Sequence, residues 1–316
     1  MNFAITGVGG YIAPRHLKAI HDTGHRLVAA LDPKDSVGVL DRYTLDVRFF
    51  TEPERFDRHL EKLRRKSEEE RVHYLSICSP NYLHDAHCRM AMRVGADVLC
   101  EKPLVINPWN LDQLELMEQE TGRRVFTVLQ LRVHPALVAL REKLMQARSA
   151  GKKHDVVLTY ITARGPWYHV SWKGDPEKSG GVATNIGVHF FDLLMWLFGP
   201  VQAHRVHLSE THRMAGYIEL QHANVRWYLS VDHSDLPFDP RPGERTTYRS
   251  ITVDGEEIEF TEGFTDLHTR IYERTLAGQG FGIADVRPAT ELTYAIRTVP
   301  LSPLDDFVHP RLSQKS

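Results

Sequence analysis

Through the first 130 residues, a short apolar run is followed repeatedly by a segment whose apolar residues recur at helical spacing, and no other feature of the chain restricts its fold so tightly. The runs are Asn2 to Thr6, Arg26 to Leu31, Val47 to Phe50, Tyr74 to Cys78, Val98 to Cys100 and Arg123 to Leu129. Ile12, His16, Leu17 and Ile20 share a helix face after the first run. Phe56, Leu60 and Leu63 do so after the third, behind a capping box from Thr51 to Glu54, and Leu83, Ala86, Met90 and Val94 after the fourth. Another helix starts from Asn107-Pro108. Strands alternating with helices predict a doubly wound parallel α/β sheet, whose ligands sit beyond the carboxyl ends of the strands.

Residues that carry chemistry gather at those carboxyl ends. Gly7-Val8-Gly9-Gly10 follows the first run directly, so Gly7 and Gly9 let the backbone turn tightly and approach a pyrophosphate at the next helix's amino terminus. Ile12 or Ala13 stands where that fingerprint has its third glycine, so the motif alone is weak. Asp32 lies at the distance where an acid meets the ribose hydroxyls of a dinucleotide; its charge would repel a ribose phosphate, favouring NAD over NADP. The plainer reading of Asp32-Pro33 is a turn. Asn81 and His84 follow the fourth run. In V-L-C-E-K-P, Val98 to Pro103, Glu101 and Lys102 emerge from a buried strand, and Pro103 holds Lys102 out of the α region on a stiff turn. A plain surface lysine is the alternative. His84, Asp85 and His87 do not make a metal site, because Asp85 falls on another helix face and no third ligand is placed.

At 316 residues the chain fits two domains, a dinucleotide domain over 1–130 and a substrate domain over 131–316. A net charge of -2 gives no electrostatic reason to bind nucleic acid or an anionic membrane. The amino terminus lacks a signal peptide's features and no run approaches the roughly 18 apolar residues of a membrane span, so a cytoplasmic protein is expected. Cys78, Cys88 and Cys100 have no zinc spacing and read as packing residues. Beyond Gln130 to Pro135 and a helix from Ala136 to Ala147, strands dominate: Val156 to Ala163, Val201 to Leu208, Arg213 to Leu220, Val225 to Val231, Tyr248 to Val253 and Glu257 to Phe260. Asp254-Gly255 is a hairpin signal, and the half reads as α+β with a mostly antiparallel sheet. Between the first two of these strands, Gly180, Gly181 and Gly187 flank Asn185 and His189, ahead of a helix apolar all round and therefore buried. His189 is either a rigidly placed functional group or a satisfied core histidine.

Taken together, G-V-G-G-Y-I-A, Asp32-Pro33, S-P-N-Y-L-H, E-K-P, Q-L-R-V-H-P, W-K-G-D-P-E-K-S-G-G and N-I-G-V-H-F-F-D resemble the glucose-fructose oxidoreductase, inositol dehydrogenase and MocA (Gfo/Idh/MocA) family. R-G-P-W-Y-H-V-S-W-K-G-D, Y-R-S-I-T-V-D-G and E-G-F-T-D-L-H-T-R are similar to its UDP-N-acetylglucosaminuronate 3-dehydrogenases. The resemblance implies an NAD-dependent sugar dehydrogenase with a Rossmann domain. It places Gly7, Gly9, Gly10, Tyr11, Ile12, Asp32, Ser79, Asn81, His84, Glu101, Lys102, Gln130 and Arg132 beside NAD, with Trp172 and Lys173 closing over it. It implies Lys102 and His189 as the acid–base groups; Arg164, Lys173 and Arg249 are candidates to pair with a diphosphate or carboxylate, Trp167, Tyr168 or Phe264 to stack on uracil, and Asn185 to orient substrate hydroxyls. It also implies 2-oxoglutarate as electron acceptor, a homotetramer, and a place in bacterial surface-polysaccharide synthesis. Relatives carry aspartate four residues before the histidine, where this chain has Asn185, and an amide cannot stabilise an imidazolium as an anion would; which of Lys102 and His189 is the base stays open. Two other readings are a dehydrogenase of a free sugar or polyol and a silent nucleotide-binding regulator. The basic, aromatic loop from Arg164 to Lys173 argues against the first, and the presence of both Lys102 and His189 against the second.

Overall fold

The computed structural model describes residues 1–146, 152–241, 243–258, 260 and 265–313, and they divide into two compact units. The first comprises residues 1–133 together with 265–287; the remaining described residues make up the second.

The first unit is a six-stranded parallel sheet in the order β3-β2-β1-β4-β5-β6. Its strands are β1 (Asn2–Thr6), β2 (Arg26–Leu31), β3 (Arg48–Phe50), β4 (Tyr74–Ile77), β5 (Asp97–Cys100) and β6 (Val125–Thr127). The helices between them are α1 (Ala13–Asp22), α2 (Pro53–Lys66), α3 (His84–Arg93) and α4 (Trp109–Thr121). Alternate strand residues feed two cores, as the period of two requires. Ala4, Ala29, Val98 and Cys100 join Phe56, Leu60, Met90, Leu111 and Leu114 of α2, α3 and α4, while Phe3, Ile5 and Leu99 join Ala13, Leu17 and Ile20 of α1.

The second face is completed by residues far along the chain. Leu267, Ile271 and Tyr272 pack into the core with Phe3, Ile5 and Leu99. A division at residue 130 assigned them to the second domain, but they pack on this face beside Leu17 and Ile20 of α1 and Leu40. Two smaller expectations also change. α2 begins at Pro53 with Glu52 as N-cap and no side-chain cap, and the Thr51 hydroxyl instead donates to Glu52, so the capping box does not form. On α3, Ala86 is exposed and its inward place is taken by His84, His87 and Cys88, because the two histidines have polar partners inside.

The second unit opens with α5 (Pro135–Gln146), and Ala147 lies outside the described residues. Its sheet runs β12-β11-β7-β10-β9-β8, antiparallel except where β10 pairs β7. The strands are β7 (His154–Thr162), β8 (Val201–Ser209), β9 (Arg213–Leu220), β10 (Ala223–Ser230), β11 (Thr247–Val253) and β12 (Glu256–Glu257). Asp254 and Gly255 both take positive φ, 52° and 87°, as a two-residue type I′ hairpin demands. Between β7 and β8 come α6 (Trp167–Val170), α7 (Pro176–Ser179), a single π-helical stretch at Ala183–Gly187, and α8 (Val188–Phe198). α8 packs on the sheet through Phe190 against Tyr160 and Phe191 against Trp227. The helical run Pro176–Phe198 is long and apolar enough to cross a membrane, contrary to the sequence reading, but 78% of its most apolar window is buried, as in a core helix. After β12 come α9 (Leu267–Leu276), which carries the returning face of the first unit, α10 (Ile283–Thr298) and α11 (Pro310–Ser313).

Candidate active site

Strand order reverses direction at β1, with β2 on one side and β4 on the other, and the glycine turn leaves β1 there. Gly7 takes φ +75°, and a Cβ on it would stand 2.5 Å from the Cys78 carbonyl oxygen, so no other residue fits. Gly10 N donates to Gly7 O at 3.0 Å, closing the turn ahead of α1. Asp32 is buried at the end of β2: its Oδ2 accepts from Gly9 N and its Oδ1 from Lys34 N, both at 2.9 Å. The acid and the glycine turn that the sequence paired by spacing are therefore in contact. Ile12 sits at the N-cap position of α1, and the Tyr11 side chain is exposed.

Two clamps hold the turn after β5. Glu101 is 6% exposed, and its Oε1 lies 2.9 Å from both His16 Nε2 of α1 and His268 Nε2 of α9. Lys102 N donates to the other oxygen, Oε2, at 3.3 Å. Burial alone would raise the Glu101 carboxyl, but the two histidine hydrogen bonds outweigh it and hold it well below its usual range. Burial pulls His16 the other way, toward the neutral form, so the group is an anion between imidazole donors. His16, Glu101 and His268 bring one ligand atom each within 4.8 Å of one another, a cluster that the sequence reading did not see. Separations of 2.9 Å are those of hydrogen bonds, and we read it as a hydrogen-bonded triad. The second clamp is His84, whose ring nitrogens lie 2.8 Å from Ser79 O and 2.7 Å from Pro103 O, tying the ends of β4 and β5 together. Burial lowers its pKa against the pull of those carbonyls.

Ser79 is buried, with Oγ 2.9 Å from His87 Nδ1, and that nitrogen is 3.1 Å from Thr6 Oγ1. Asn81 is buried beside them in sequence, at the start of the 3-10 turn before α3. Arg132 donates to the Asp285 carboxylate at 3.2 Å and to its backbone oxygen at 3.1 Å, a bond within the fold that sequence reasoning missed. Gln130 Oε1 is buried without a hydrogen-bond partner. An orphaned acceptor, a turn that excludes a Cβ and a carboxylate at the end of β2 are together the donor and acceptor set that a dinucleotide needs.

In the second unit, Asn185 lies in the π-helical stretch and His189 in the first turn of α8. Asn185 is buried and donates from Nδ2 to the Tyr168 hydroxyl at 2.9 Å, so it binds the loop from Arg164 to Lys173 rather than standing apart as a lone amide. His189 is half-buried. Tyr168 is 3% exposed while Trp167 is 53% exposed. Lys173 Nζ sits 4.1 Å over the Trp172 ring, and burial, with Arg164 adding to it, lowers its pKa. Arg164 itself is exposed, and its backbone N donates to Val231 O. Arg249 faces Tyr160 across β11 and β7, with its guanidinium over that ring and over Phe260, and Tyr160 in turn meets Phe190, the neighbour of His189, with the rings tilted. Phe264 lies outside the described residues.

Residues 1–129 match the model of an oxidoreductase family's NAD-binding Rossmann fold, and residues 152–236 match that family's C-terminal α/β domain. The chain is 54% identical to the WlbA (WbpB) dehydrogenase of Thermus thermophilus, with a TM-score of 0.93 over 98% of this chain and 99% of that one. Crystal structures of that protein hold NAD with α-ketoglutarate and NAD with UDP-GlcNAcA. A 2,7-anhydro-N-acetylneuraminate hydratase of Mediterraneibacter gnavus is 28% identical over 203 residues, 63% of this chain and 50% of that protein. An uncharacterized oxidoreductase of Synechocystis is 30% identical over 139 residues, 44% of this chain and 38% of that protein. The chain thus spans half or less of the length of these curated relatives.

Proposed function

The chain belongs to the Gfo/Idh/MocA oxidoreductase family, and we propose that it oxidises the 3-hydroxyl of UDP-N-acetylglucosaminuronate to the 3-keto sugar with NAD. The observation that carries this reading is near full-length likeness, at 54% identity, to a dehydrogenase crystallised with NAD and that sugar nucleotide. NAD, when bound, supplies the hydride acceptor. The glycine turn at Gly7 to Gly10 would take its pyrophosphate, Asp32 its ribose hydroxyls, and Gln130 Oε1 a donor of the cofactor.

The chain's own groups handle the proton. The His189 imidazole is the group that can take the hydroxyl proton as the carbonyl forms. The Lys102 ammonium can hydrogen-bond the oxygen as negative charge develops on it. Asn185, hydrogen-bonded to Tyr168, would orient a sugar hydroxyl rather than serve as a counter-ion. Arg249, Lys173 and Arg164 are the cations for the diphosphate and the hexuronate carboxylate. The same reading takes 2-oxoglutarate as the acceptor that regenerates NAD, supported by the Thermus complex with α-ketoglutarate. It also assigns a homotetramer and surface-polysaccharide synthesis, supported by family likeness, and takes the protein as cytoplasmic.

The test compares UDP-N-acetylglucosaminuronate with UDP-N-acetylglucosamine, which lacks the carboxylate, by steady-state reduction of NAD. Loss of a paired buried charge costs roughly 2 to 5 kcal/mol, so the uronate should win by about 30-fold to several thousand-fold in kcat/KM. Comparable efficiency would sink the uronate assignment. Turnover of a free sugar or inositol alone would move the protein to the polyol reading.

A further inference from the structure

The Glu101 triad extends deeper than its two histidines. His16 Nδ1 lies 2.8 Å from the Tyr272 hydroxyl, which lies 2.6 Å from Ser76 Oγ, and all of these groups are buried. A carboxylate can only accept, so His16 carries its proton on Nε2 and its Nδ1 must accept. Tyr272 then donates to His16 and accepts from Ser76, and each group in the chain fixes the next. His268 and Tyr272 lie four residues apart on α9, so both project from one helix face onto Glu101 and His16. The free end of this network is Glu101 Oε2, which meets the backbone N–H of Lys102.

We propose that His16, His268 and Tyr272 are positioning residues for the reaction: they lock the Glu101 carboxylate, and through it the Lys102 backbone, in the geometry that aims the Lys102 side chain. The returning helix α9 thereby sets the catalytic turn of a sheet whose strands all come from the first 130 residues. The proposal rests on the reading of Lys102 as a group acting at the reacting carbon. Misaiming such a group by about 1 Å costs on the order of 100-fold, which scales the expected effect.

The test combines kinetics with hydrogen exchange at the Lys102 amide. His268→Leu should lower kcat by about 10- to 100-fold, with the Kd for NAD held within about threefold. His268→Gln, whose amide can donate to the same oxygen, should restore most of that loss. In a Lys102→Ala background, His268→Leu should cost almost nothing further, because both changes act through one side chain. Exchange at the Lys102 amide should quicken in His268→Leu and return toward wild type in His268→Gln. An equal loss in the Lys102→Ala background, or unchanged exchange in His268→Leu, would overturn the proposal. If the wild type oxidised no UDP-sugar, the proposed function would fall while the exchange measurement still decided this point. Tyr272→Phe, a smaller change, keeps the test available if His268→Leu does not fold; it should show the same pattern at lower amplitude.

Discussion

The two units hold polar side chains differently, although Asn185 and Tyr168 of the second are buried as well. In the first, the groups nearest the proposed chemistry are sealed: Glu101, His16, His268, His84, Ser79 and Asn81 are all buried, and the carboxylate and imidazoles have close partners. In the second, Arg164 and Trp167 are exposed, and Trp172, Lys173, His189 and Arg249 are half-buried, with arene faces as the prominent neighbours of the lysine and of Arg249. Closed networks rigidify a reacting group, whereas a cation resting on an aromatic ring keeps its charge for an anion to meet. Under the proposed function, the first unit would fix the reacting groups and the second would select the substrate.

The largest effects should come from removing one proton-handling group in each unit. Lys102→Ala and His189→Ala should each lower kcat by about 100- to 10,000-fold, with NAD affinity changed little, because both act at the reacting carbon and not on the dinucleotide. Single-turnover kinetics together with fluorescence titration of NAD would check this. Near wild-type turnover in either variant would strip that residue of its role and break the division between units.

How much of this was legible beforehand follows the same division. β1 and β2 were read residue for residue, because parallel strands buried on both faces leave continuous apolar runs. The placement of Gly7, Asp32 and Lys102 just past the ends of strands was legible for a related reason, since each closely follows such a run. The Glu101 triad was not. It joins residues 16, 101 and 268, and the last arrives by a helix that follows residues 134–263 of the second unit, so no local pattern could show it. His84 reads as a residue of the ligand edge and His87 only as a rejected metal ligand, since spacing says nothing about the carbonyl and hydroxyl oxygens that meet them. Arg249 drew attention through resemblance, and its ring contacts follow from a strand register that sequence does not give.

Substrate selection should respond next, and unequally. Arg249→Ala should reduce the preference for the uronate by about tenfold or more, since a charge-assisted hydrogen bond from a half-buried guanidinium contributes roughly 1.5 to 3 kcal/mol. Arg164→Ala should change it by less than about fivefold, because an exposed ion pair contributes at most about 1 kcal/mol. Measuring kcat/KM on both UDP-sugars for both variants gives the ranking. An equal or reversed order would mean that burial does not grade the cations in the second unit.

Cofactor choice belongs to the first unit and should be of similar or smaller size. Asp32→Ala should weaken NAD by about tenfold and narrow its advantage over NADP, the loss expected for a charged hydrogen-bond partner. Part of the loss has a second source, because Asp32 also accepts from Gly9 N and steadies the glycine turn. Asp32→Asn, which keeps an acceptor for Gly9, should separate the two: it should retain more NAD affinity than the alanine variant yet lose as much selectivity. Unchanged selectivity in both would remove Asp32 from the ribose site.

The smallest effect tests whether the units differ at all in how they bury histidine. Burial pushes His87 in the first unit down to about 4 and His309 in the second down to about 3. His309 keeps neutral partners, with Arg311 N donating to Nδ1 and Nε2 3.1 Å from Thr159 Oγ1. Each folded pKa lies below the unfolded value of about 6.5, so the unfolded chain binds more protons between the two, and stability rises with pH there. Lowering the pH from about 7 to about 5.5 should therefore cost roughly 1 kcal/mol per histidine, before the carboxylates begin to titrate. In that window the cost is set by protonation of the unfolded chain and hardly depends on whether the folded pKa is 3 or 4. His87→Gln and His309→Gln should consequently flatten the pH dependence of urea unfolding by about the same amount, although they sit in different units and their folded pKa values differ. A steeper dependence in either variant, or no change in one of them, would mean that histidine is charged in the folded protein, with its ring held by partners other than those seen here.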